Sequence, residues 1–74
     1  MKHRDPVLAR FGQNVLAYRE QRKLTQEALA EKADIDRTYL SDIERGIRNA
    51  GVKNIARLAR ALEIDAAKLM EGIP

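Results

Sequence analysis

A chain of 74 residues keeps roughly a third or more of its unfolded surface in water after folding, so its core is small and one domain over 1–74, with its core at about 6–72, is expected. With no cysteine and one histidine, His3, it offers no disulfide, no thiolate ligand and no metal site, and neither a cofactor nor a small-molecule ligand is expected. The net charge of +3, from 14 basic and 11 acidic residues, is a mild excess, and no apolar run is long enough for a membrane span or secretory segment, which predicts a cytoplasmic protein with no membrane partner.

Apolar residues recur at intervals of three and four with no alternating strand pattern, which predicts an all-α chain of five helices. The first opens at Asp5-Pro6, a cap followed by the one residue that needs no N–H, and runs to about Arg22. Leu8, Phe11, Val15 and Tyr18 form its inner stripe; Arg10, Asn14 and Gln21 lie elsewhere, and Leu16 falls off the stripe without an assignment.

Three later helices share one opening: an apolar residue, a capping residue, three spacers, an apolar residue. These are "LTQEAL", "IDRTYL" and "IDAAKL", with Thr25, Asp36 and Asp65 as caps. Leu24 with Leu29, Ile35 with Leu40, and Ile64 with Leu69 stand where a hydrophobic staple forms. Helix two then spans about Gln26–Ala33, helix three Arg37–Arg45 and helix five Ala66–Glu71, with Gly46 and Gly72 as left-handed stops for the third and fifth. Helix four, about Val52–Leu62, buries Ile55, Leu58, Ala59 and Leu62 behind only Gly51 as a weak cap. The expected core is Leu8, Phe11, Val15, Leu29, Ala30, Leu40, Ile43, Ile55, Leu58, Leu62 and Leu69.

Helices two and three are joined by almost nothing, and Ala30 gives helix three room to approach; a sharp helix-turn-helix or a plain helical hairpin both satisfy that constraint. Helix three carries Leu40 and Ile43 inward while Arg37, Thr38, Ser41 and Asp42 share the other side, a polar face suited to a contact. From Arg37 to Arg60 six basic residues (Arg37, Arg45, Arg48, Lys53, Arg57, Arg60) meet only Asp42 and Glu44, a skew that suits a polyanion or an ordinary solvated surface.

The run "LTQEALAEKADIDRTYLSDIERG", followed by "RN" and "IARLARALEI", resembles the Cro/repressor-type (XRE-like) helix-turn-helix family from about Phe11 to Glu71. Within it, "IDRTYLSDIERGIRN" looks most like the controller proteins of restriction–modification systems. The resemblance implies a compact five-helix, lambda-repressor-like domain, and a sequence-specific regulator that binds double-stranded DNA as a homodimer on a palindromic operator. RNA polymerase is a further implied partner, and the nucleoid the implied location. Arg37, Thr38, Ser41 and Asp42 would meet base edges; Gln26, Tyr39, Arg45, Arg48 and Asn49 would meet phosphates. Asp42 departs from the polar or basic residue common at its position: it can accept from a cytosine amine or pair with Arg45 on the helix surface. Tyr39 can place its hydroxyl on a phosphate or pack sideways on the domain. Arg19 and Glu44 would form a structural ion pair between helices one and three. Ile47, Val52, Ala56 and Met70, apolar residues left over by the core, would form the dimer interface or pack at the core's edge.

Two departures bear on the loops: Asp34 stands where the family's turn has glycine, and Ala50-Gly51 replace its frequent proline and serine or threonine. An antitoxin-like or other protein-binding adaptor, and a phage- or plasmid-type repressor of the same fold, are the alternative functions; the lack of chain beyond Pro74 counts against a masking adaptor. An enzyme is not expected, since there is no second histidine, glycine-rich phosphate loop or paired carboxylate in a plausible cleft.

Overall fold

The computed structural model describes residues 5–74; His3 lies outside them. Five helices follow one another: α1 Pro6–Gln21, α2 Gln26–Ala33, α3 Arg37–Glu44, α4 Val52–Leu62 and α5 Ala66–Leu69, and no strand occurs among the described residues. Among the described residues no helix is long and apolar enough to cross a membrane, and no group of acidic or histidine side chains could hold a metal ion.

The starts follow from their caps. Asp5 Oδ1 accepts from the backbone N–H groups of Val7 (2.9 Å) and Leu8 (3.3 Å), Thr25 Oγ1 from Ala28 (3.0 Å), and Asp36 Oδ2 from Thr38 (2.9 Å) and Tyr39 (3.2 Å). Each such cap contributes about 1 kcal/mol. Asp65 occupies the cap position of α5 but its side chain makes no capping bond, so the last helix starts on its staple and packing alone.

The stops share one device that composition conceals. In α1, α2, α3 and α4 the chain turns through a left-handed residue, Lys23, Asp34, Gly46 and Glu63, with φ of 57, 57, 77 and 59°. At each stop the next residue's N–H reaches back to the carbonyl five residues earlier: Leu24 to Arg19, Ile35 to Ala30, Ile47 to Asp42 and Ile64 to Ala59, at 2.9–3.2 Å. This is the Schellman turn, which satisfies helix-end carbonyls and points an apolar residue back at the helix. Leu24, Ile35 and Ile64 then do double duty, closing one helix and stapling the next. The early turns also explain why α1 and α3 stop one residue short of the expected ends. α5 is shorter still, at Leu69, because the chain unwinds through three-residue turns toward Gly72, whose φ is 74°.

The core comprises Phe11, Val15, Leu29, Ala30, Ala33, Leu40, Ile43, Leu58, Ala59, Leu62 and Leu69. Leu8 and Ile55, expected within it, are only half-buried, as is Leu16. α1 crosses α3 so closely that a Cβ on Gly12 would run into the Ile43 carbonyl oxygen. Behind that crossing, the buried Asn14 donates from Nδ2 to the carbonyl oxygens of Leu69 (2.9 Å) and Glu71 (2.8 Å), tying α1 to the end of α5. Arg10 Nε also donates to Glu71 O (3.0 Å), and Nη2 of Arg22, the residue that caps α1, to Glu63 O (3.1 Å), so α1 and its cap supply donors just past both C-terminal helices.

Candidate nucleic-acid interface

α2 and α3 meet across Asp34, Ile35 and Asp36. Asp34 adopts φ 57 and ψ 48°, a conformation aspartate tolerates better than most side chains, so the missing glycine leaves the turn intact. Ala30 and Ala33 are buried at the junction, and their small side chains let α3 settle against α2. Leu40 and Ile43 are fully buried, which turns the opposite side of α3 outward. Arg37 and Thr38 are exposed there, Ser41 and Asp42 half-buried. Asp36 accepts from the Thr38 and Tyr39 N–H groups, and the Arg37 side chain is exposed beside them.

Behind this face a polar node fixes α3 to α1 and α2. Arg19 Nε lies 2.6 Å from Glu44 Oε2, Nη2 donates to Oε1 at 3.0 Å, and Nη1 donates to the Leu24 carbonyl at 2.8 Å. Glu44 is 4% exposed at its side chain and takes a further bond from Gln26 Nε2 at 2.9 Å. The bonds to Glu44 raise the Arg19 pKa above the usual guanidinium value against the opposing effect of burial, and the charges of Glu44 and Glu20 add to the rise. Gln26, expected to meet a phosphate from its place at the helix start, has one amide hydrogen committed to Glu44, while Thr25 accepts from the Ala28 N–H. Arg19, Thr25, Gln26, Glu27 and Arg37 line an open concavity between the starts of α2 and α3.

Past α3, the turn at Gly46 folds the chain back. Arg48 places its guanidinium 5.2 Å from the Tyr39 ring centroid, a cation–π distance. Asp42 lies between Arg45 and Arg48, 3.5 Å from Nη1 of the first and 3.8 Å from Nη2 of the second, so its surface pairing extends to two arginines. Asn49 is exposed beside them. Tyr39 is half-buried against the core, and its hydroxyl accepts from Asn54 Nδ2 at 2.9 Å, leaving the phenolic proton free to donate outward. Arg57 Nη1 donates to Asn54 Oδ1 at 3.3 Å, which holds the amide in that orientation. Asn54 was not singled out in the sequence, since its partner is on another helix and no local spacing signals it.

On the remaining surface Ile47, Val52, Ala56 and Met70 are all exposed, so none belongs to the protomer's core; Val7, not anticipated, is exposed too. Ile47 is the exception among the four helix stops. Its counterparts Leu24, Ile35 and Ile64 are packed against the core, whereas Ile47 is 57% exposed and begins a loop instead of a helix.

A helix-turn-helix family model matches residues 15–69. The control protein C.BamHI of Bacillus amyloliquefaciens is 42% identical over 62 residues, covering 82% of this chain and 76% of that protein. Among solved structures, the restriction-modification controller protein C.AhdI from Aeromonas hydrophila superimposes with a TM-score of 0.83 at 42% identity, covering 84% of this chain and 94% of its own. The biofilm regulator SinR, known from Bacillus subtilis and solved in complex with DNA, superimposes with a TM-score of 0.79 at 29% identity, over 82% of this chain and 98% of the solved one.

Proposed function

The chain belongs to the helix-turn-helix family of DNA-binding transcription regulators, which are not enzymes, and from that premise we propose that it acts as a homodimer on a palindromic operator to control restriction–modification genes. The observation that carries this reading is the outward side of α3, where Arg37 and Thr38 are exposed on a helix whose inner side, Leu40 and Ile43, is fully buried. Laid in the major groove, that face offers Arg37 as a planar fork for guanine O6 and N7, with Thr38 and Ser41 for neighbouring base edges. Arg45, Arg48, Asn49 and the Tyr39 hydroxyl would hold the flanking phosphates, with Gln26 reduced to the amide hydrogen and oxygen that Glu44 leaves free.

One recognition helix reads too few base pairs for useful discrimination, so two protomers are needed, their α3 helices roughly 34 Å apart along one face of the duplex. The exposed apolar residues Ile47, Val52, Ala56 and Met70 supply a surface for that pairing. At a promoter on the nucleoid, in the cytoplasm, such a dimer would have RNA polymerase as a neighbour.

Selection of bound duplexes from a random pool, then a binding matrix over single-base variants, tests the reading. Arg37→Ala should remove preference at one base pair per half-site at a cost of about 1–3 kcal/mol, while Arg48→Ala weakens all sequences nearly alike. Uniform losses for both would remove Arg37 from the role of base reader, and selection of a non-palindromic site would remove the symmetric dimer.

A further inference from the structure

Asp42 is the one acidic residue on the outward side of α3, and its surroundings are unlike those of a free groove-reading carboxylate. Its side chain is 22% exposed, while those of Arg45 and Arg48 are more than half exposed. One oxygen faces each guanidinium, Oδ1 toward Arg45 at 3.5 Å and Oδ2 toward Arg48 at 3.8 Å. The arrangement is imposed by the backbone. The N–H of Ile47 bonds the Asp42 carbonyl at 3.1 Å, and the left-handed Gly46 reverses the chain, which brings Arg48 back over Tyr39 and beside the carboxylate.

A carboxylate and a phosphodiester present the same thing to an arginine: anionic oxygens that accept N–H bonds. We propose that Asp42 is an internal stand-in for DNA phosphate, occupying Arg45 and Arg48 in the free protein and setting how tightly the protein binds any duplex. The proposal rests on the reading that these two arginines meet phosphates. With Asp42 in place the trio carries a net charge of +1 rather than +2, so each protomer displaces fewer condensed counterions from DNA than its arginines alone would. The contacts are solvent-exposed and long, so each is weak; they are released on binding at small cost and re-form when DNA leaves. Because phosphates carry no sequence information, this deduction falls equally on operator and random DNA. Asp42 therefore lowers the absolute affinity and leaves base discrimination unchanged, which separates it from a carboxylate that accepts from cytosine.

Asp42→Asn keeps the shape and removes the charge. Its affinity for a selected operator duplex and for a random duplex is measured over a series of salt concentrations, beside Arg45→Ala, Arg48→Ala, the double arginine variant and the triple variant, with thermal melts confirming that each protein is folded. The expected result is tighter binding of both duplexes by the same factor, about three- to tenfold per dimer, and a salt dependence steeper by about one counterion per protomer. Most of that gain should vanish when both arginines are alanine. Loss of preference at one base pair, or weaker binding to the operator alone, would make Asp42 a base reader and overturn the proposal. An unchanged affinity with Asp42→Asn, while the arginine variants bind more weakly, would also overturn it and leave the phosphate reading standing. If neither arginine variant weakens binding, the phosphate reading itself fails and the proposal with it.

Discussion

The stop after α2 and the stop after α3 are built alike and used differently. Both pass through a left-handed residue, Asp34 or Gly46, and both send an isoleucine's N–H back to the preceding helix. After Asp34, Ile35 packs on the core and Asp36 caps the next helix at once, so the junction between α2 and α3 has no slack. After Gly46, Ile47 remains exposed and Arg48, Asn49, Ala50 and Gly51 follow before α4 begins. The difference is whether the apolar residue that closes one helix also staples the next. Where it does, the turn sets the angle of α3; where it does not, the chain leaves Ile47, Arg48 and Asn49 exposed.

The largest expected effect breaks the rigid side of this comparison. Glu44→Ala strands the Arg19 charge in a nearly closed site and should cost about 3–5 kcal/mol, whereas Asp42→Ala, which opens an exposed pairing, should cost less than about 1 kcal/mol. Denaturant melts of the two variants decide it, and equal midpoints would mean that the node does not hold α3. Next, Ile35→Ala should remove about 2 kcal/mol at every protein concentration, as half-buried packing is lost. Ile47→Ala should leave a dilute sample within about 0.5 kcal/mol of wild type and act instead on assembly.

The wild-type melting temperature should rise with protein concentration, as mass action requires of a dimer, and a charged residue at Val52 or Met70 should flatten that rise. Sedimentation over a hundredfold concentration range checks the same point; a wild-type chain that stays monomeric with and without operator DNA removes the proposed interface. The smallest effect makes the two stops alike: Asp34→Gly should raise stability by about 0.5 kcal/mol by relieving the left-handed backbone. A loss in the denaturant midpoint would show that the Asp34 side chain contributes something the turn geometry does not.

Helix starts were legible because their determinants are local. Thr25, Asp36 and the staple partners lie within five residues of one another, and the α2 and α4 bounds follow the sequence expectation. Stops at Lys23 and Glu63 were not, since long polar side chains in left-handed turns carry no signature comparable to glycine's. Gly12 and Asn14 escaped for a different reason: one is required by the crossing with α3, the other by carbonyls 55 and 57 residues away. At the candidate interface, Arg37 and Thr38 were placed outward by periodicity alone. The pairing of Asp42 with Arg45 was legible at a spacing of three, whereas its second partner Arg48 comes from the turn at Gly46, and the bonds of Gln26 to Glu44 and of Asn54 to Tyr39 depend on where helices meet, which spacing along the chain does not encode.

The Asn14 latch has a consequence for how the molecule comes into being. α5 holds four residues, far too few to be helical alone, and the carbonyl groups at its end are satisfied by a side chain from α1. α1 is thus completed by carbonyls 55 and 57 residues further along the chain. A nascent chain that already contains α2 and α3 can form the node on Glu44, but the closure of α1 on the C-terminal segment waits until Glu71 has been added. Folding of the five helices should then be cooperative, with no stable fragment that ends before α5.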